Sequence, residues 1–144
     1  MKPLVVGLAH GEGSAAWLAR QGYPELGSAI VGHPVTRLAD GAWFDRWFAD
    51  ASAEALVVAY ADKRAGQCLE SMAERFASWQ RRYPPAGRAA HAPGTWTEET
   101  LGAVRLRAEA IERRVCELAG VTPAGVRRLE WTGRAIAAAR EERR

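Results

Sequence analysis

The chain has 144 residues, 48% of them hydrophobic and six of them tryptophan, enough material for one packed domain. Its formal net charge of +3 is spread evenly, ten basic against nine acidic side chains in residues 1–96 and ten against eight in residues 97–144, so neither half is a basic tail. No apolar run reaches the roughly 20 residues of a membrane span, and residues 1–9 are too short and too weakly charged for a secretory signal, so a cytoplasmic protein with no membrane partner is expected.

After an apolar start at residues 3–9, Gly11 to Gln21 reads as a helix ended by Gly22, and Pro24 to Gly32 as a second one stopped by His33-Pro34. Ala42 to Ala49 carries Trp43, Phe44, Trp47 and Phe48 at helical spacing, a face suited to plugging a core and less suited to stacking bases. Ser52 is a good N-cap for the longest expected element, one amphipathic helix to about Tyr83 with Ala65, Cys68, Met72, Phe76, Trp79 and Tyr83 at steps of three and four. Cys68 and Cys116 both fall in helical patterns without zinc spacing and read as reduced thiols in or near the core.

Residues 84–96 hold prolines and glycines and read as a loop dividing residues 1–83 from residues 97–144. Thr97 caps a helix to about Ala119, stopped by Gly120, and Thr122-Pro123 opens a last helix that frays towards Arg144. No strand alternation of useful length interrupts this pattern. The expected class is all-α, a helical bundle with an additional C-terminal helical pair packing on the same domain.

Three residues stand out chemically. His10 opens the first helix and His33 closes the second, although a histidine at a helix end also serves simply to complement the dipole or meet solvent. Asp62 follows the apolar run Ala55 to Ala61, and no cation lies three or four residues away, so its charge is expected to find compensation in tertiary structure: an arginine, a helix N-terminus or a metal ion.

The string His10-Gly-Glu-Gly-Ser-Ala-Ala-Trp-Leu-Ala-Arg-Gln-Gly-Tyr-Pro-Glu-Leu, then Ile30-Val-Gly-His33-Pro, then Val58-Ala-Tyr-Ala-Asp62-Lys63, resembles the later half of phosphohydrolases of the His-Asp (HD) superfamily. The likeness covers roughly residues 7 to 83. It implies an HD-like bundle, incomplete at the N-terminus, in which Asp62 is the last metal ligand and His10 and His33 are the two histidines that some members add for a second metal. Lys63 and Arg64 are then placed to face a substrate phosphate. The implied cofactor is a divalent ion (manganese, iron, cobalt, nickel, zinc or magnesium), and the implied partner is a nucleotide or other small phosphate ester.

The family's defining His-Asp pair is absent from the sequence, and Lys2-Pro3 resembles the dipeptide that follows it in relatives. Either a longer gene product read from a later start or a natural remnant with an incomplete site accounts for this. The competing expectation is a non-catalytic helical scaffold for binding or homodimerisation, pairing Met72, Phe76 and Trp79 with a second chain. Nucleic-acid binding through residues 126–144 is disfavoured because Glu130, Glu141 and Glu142 interrupt the arginines. His91 has no counterpart in the resemblance and reads as a surface residue.

Overall fold

The computed structural model describes residues 10–65, 68–84, 96–128, 133, 138 and 140–142. The expected apolar start, the greater part of the proline- and glycine-rich segment with His91, and most of the chain beyond Arg128 lie outside the described residues. Among those described, regular structure is helical throughout, apart from one isolated bridge between Ala65 and Leu69. No helix among them is long and apolar enough to cross a membrane.

Helix α1 (His10–Arg20) ends in a turn where Gly22 takes φ +92°, a conformation that other residues adopt only at a cost, and a 3-10 turn at Pro24–Leu26 leads into α2 (Gly27–Val31). A second 3-10 segment, Val35–Ala39, inserts the fully buried Leu38 into the core. Asp40 then caps α3 (Gly41–Asp50), its Oδ1 accepting from the Trp43 amide at 2.9 Å. The aromatic face of α3 does plug the core. Phe44 is buried, Trp43, Trp47 and Phe48 pack around it, and Trp43 stacks on Trp47 at 5.5 Å.

The single long helix expected from Ser52 is two helices, α4 (Ala53–Arg64) and α5 (Met72–Arg82). Two local signals override the continuous three-four periodicity. Arg64 folds back on the connection: its Nε donates to the Glu70 carbonyl, while the Glu70 amide donates to the Arg64 carbonyl at 2.9 Å. Ser71 and Glu74 then form a reciprocal capping box that restarts the helix. Cys68, expected near the core, is exposed in this connection, whereas Cys116 is buried as expected, and both are free thiols.

The spine of the core is α6 (Glu98–Ala119), begun by a Thr97 cap and stopped by Gly120 in the left-handed region at φ +64°. Its Leu101, Val104, Ala108, Ile111 and Val115 recur at three- and four-residue steps, all buried, against α4, α5 and the Val35–Ala39 segment. The C-terminal part of the chain therefore supplies the centre of one shared core. This also covers the surface expected to pair with a second chain: Met72 and Phe76 are 4% and 3% exposed within the same cluster, and Trp79 meets buried Trp96 edge to face at 5.1 Å.

Helix α7 (Pro123–Arg128) is tied to α5 by Arg127, whose Nη1 donates to both Glu74 carboxylate oxygens at 2.9 and 2.8 Å. Hydrogen bonds from the Ser71 amide and hydroxyl, with help from Arg127, hold the Glu74 carboxyl down at about 2. A depressed carboxyl pKa contributes stability above its unfolded value near 4.5 and loses it as pH falls towards 2. Urea midpoints of the wild type and Glu74→Gln are therefore expected to differ above pH 4.5 and to converge by about pH 2. An offset that stays constant across that window would show that the capping charge plays no part.

Candidate functional site

The site begins with a close backbone approach. A Cβ on Gly11 would lie 2.4 Å from the Val31 carbonyl oxygen and 3.1 Å from Pro34 Cγ, so only glycine lets the start of α1 sit against the end of α2. That contact brings His10 and His33 together, their rings edge to face with centroids 5.0 Å apart. The Nδ1 of His33 is 2.5 Å from the Ile30 carbonyl oxygen, to which it donates, and in the neutral ring this makes Nε2 the acceptor nitrogen. In metal sites such a bond on the far nitrogen orients the ring and selects the tautomer.

The last turn of α4 docks on the same corner. Lys63 is 3% exposed, and its Nζ donates to the carbonyls of His33 at 2.7 Å and of Ala59 at 3.1 Å, satisfying the C-terminal end of α2. Burial pulls the Lys63 ammonium down to about 8, partly opposed by Asp62, whose Oδ2 is 3.6 Å away. The sequence places Lys63 beside the site, and the structure ties it to the His33 backbone.

Asp62 and Arg64 differ from expectation in opposite ways. Asp62 has 41% of its side chain exposed, so solvent and the adjacent Lys63 compensate its charge, and the tertiary partner argued from the apolar run is not required. The residues of that turn facing the core are Lys63 and Arg64. Arg64, expected to face a phosphate, is 1% exposed and engaged internally: Nη1 donates to Glu112 Oε1 at 2.6 Å and to the Tyr60 hydroxyl at 2.5 Å, and Nη2 donates to the Pro123 carbonyl at 3.4 Å. It bolts α4 to α6 and α7.

Asp62 and Lys63 open instead into a cavity of about 150 Å³, walled by Val35, Arg75, Phe76 and Trp79. Sequence reasoning did not find Arg75, because it lines the same cavity as Asp62 only through the break between α4 and α5 that the continuous-helix reading lacks.

Of the three metal ligands that the resemblance implies, the structure brings His10 and His33 together. Asp62 does not complete a three-ligand set with them: among the described residues, no group of three His, Cys, Asp or Glu side chains is placed to hold a metal ion. Glu12, in the first turn of α1, pairs with Arg37 through Oε1, and its buried Oε2 has no hydrogen-bond partner among the described residues. Neither a protein-family model nor a curated protein nor a solved structure matches the chain.

Proposed function

We propose that the chain is a metal-dependent phosphohydrolase domain of the HD type, acting on a nucleotide or small phosphate ester and anchoring a divalent ion through His10 and His33. The observation that carries the reading is the histidine pair itself: two imidazoles, one at the start of α1 and one just beyond the end of α2, held edge to face, the second with its Nδ1 on a backbone carbonyl. Structural histidines at helix ends need no such pairing. The sequence resemblance supplies the reaction class, and the cavity lined by Lys63, whose ammonium also holds the His33 carbonyl, offers room for an anion.

When bound, a divalent ion on such ligands lowers the pKa of its water and offsets phosphoryl charge. The chain's own contribution is positional. Gly11 holds His10 against α2, the Ile30 carbonyl orients His33, and Lys63 fixes the backbone that carries His33.

Elemental analysis of the purified chain is expected to find stoichiometric divalent metal, and His33→Ala is expected to lose it. The loss in affinity should exceed the roughly 10–100-fold that follows removal of an outer-shell partner. Equal metal in the two proteins would remove the histidine anchor from the proposal. The competing reading, a binding scaffold, draws on Trp17, Tyr23 and Leu26, which are 41%, 55% and 45% exposed around the Gly22 turn. It is favoured if neither protein holds metal.

A further inference from the structure

We propose that the cavity between Lys63 and Arg75 is the seat of the substrate's anionic head, and that it selects a small phosphate monoester with an apolar substituent over a nucleoside phosphate. The inference rests on the phosphohydrolase reading above and narrows its substrate class.

The two cations come from different helices and converge on one cavity. An ammonium has three donors. Two of those on Lys63 go to the His33 and Ala59 carbonyls, and the Asp62 oxygen at 3.6 Å is too distant to take the third in a good hydrogen bond. Arg75 has one polar partner among the described residues, Glu70 Oε2 at 3.5 Å, the outer limit of such a contact, so most of its five-donor fork is unused. Both cations thus retain donors for an anion, while Arg64, next to Lys63 in sequence, is 1% exposed and commits four of its five donors to Glu70, Tyr60, Glu112 and Pro123.

Size and lining set the class of ligand. At about 150 Å³ the cavity is below the roughly 300–1,000 Å³ of pockets that enclose a drug-sized molecule, so it holds a phosphate and a few further atoms, and the rest of a larger ester lies outside its mouth. Phe76 and Trp79 form an apolar wall beside the cations, which favours an aryl or alkyl substituent over a polyol. Asp62 also faces the cavity and opposes an anion there in the absence of metal. That sign separates this proposal from a metal-only role for Asp62.

The test is calorimetric titration of the full chain with phenyl phosphate, inorganic phosphate and adenosine monophosphate, in EDTA at low salt. The expected order of affinity is phenyl phosphate, then inorganic phosphate, then the nucleotide. Arg75→Gln, at a partly exposed position, should weaken phenyl phosphate about tenfold. Asp62→Asn should tighten it. Unchanged affinity in Arg75→Gln, weaker binding in Asp62→Asn, or a nucleotide bound as tightly as phenyl phosphate overturns the proposal. Because metal is removed throughout, these outcomes are independent of the elemental analysis of His33→Ala, which reads the histidine anchor alone.

Discussion

Arg64→Ala is expected to lower folding stability by about 3–5 kcal/mol, the usual cost of removing one partner from a buried ion pair. For a chain of this length that is a fall in Tm on the order of 10 °C. The guanidinium is almost wholly inaccessible and links four segments: α4 through Tyr60, the reversal through Glu70, α6 through Glu112 and the start of α7 through Pro123. Truncation strands the Glu112 carboxylate, 12% exposed, with only the Tyr60 hydroxyl, among the described residues, donating to it at 3.1 Å. Burial, with the Glu112 charge, pushes the Tyr60 phenol well above its ordinary range, so it remains a neutral donor and cannot replace the lost cation.

The double variant Arg64→Met/Glu112→Leu should recover much of the loss, since apolar replacement of both members avoids a stranded buried charge. Urea unfolding of the wild type, both single variants and the double closes the cycle. A single variant within about 1 kcal/mol of the wild type would mean that water reaches the pair and screens it.

Gly11→Ala is expected to destabilise the fold by about 1–3 kcal/mol and to break the contact between the two histidine rings. Two effects compete at this position. Alanine is the better helix former by up to about 1 kcal/mol, which alone would stabilise α1. Against it stands a Cβ only 2.4 Å from a backbone carbonyl oxygen that has no rotamer by which to retreat, so α1 has to move away from α2. The steric effect is the larger, and it acts where His10 meets His33.

Gly22→Ala is the control, because it strains a backbone at φ +92° but meets no atom within 4 Å and leaves that corner intact. Thermal unfolding reads the stability, and the imidazole proton shifts read the ring contact. A Gly11→Ala protein with wild-type Tm and unaltered histidine signals would show that the helices separate without cost.

The helix boundaries set by caps were legible in the sequence because capping is a short-range interaction. Gly22, Ser52, Thr97 and Gly120 each satisfy or release backbone groups within a few residues, and the structure ends or begins a helix at each. The same locality made the Ser71-Glu74 box readable in principle, but periodicity ran through it, since two helices sharing one core can keep a common three-four phase. The all-α class followed from the same signals, as did the aromatic plug of α3.

What only tertiary structure decided is which way the end of α4 faces. Asp62, Lys63 and Arg64 are consecutive, so each points about 100° from the next, and the sequence does not say which of them meets α6. The partners that select Arg64 are Glu112 and Pro123, more than forty residues away. Once they turn it inward, Lys63 falls on the His33 carbonyl and Asp62 is left towards solvent. The approach of Arg75 depends on a chain reversal, and the meeting of His10 with His33 on the absence of a side chain at Gly11. The chemical groups of the site were visible as residue types, but their convergence depends on long-range packing that no local pattern encodes.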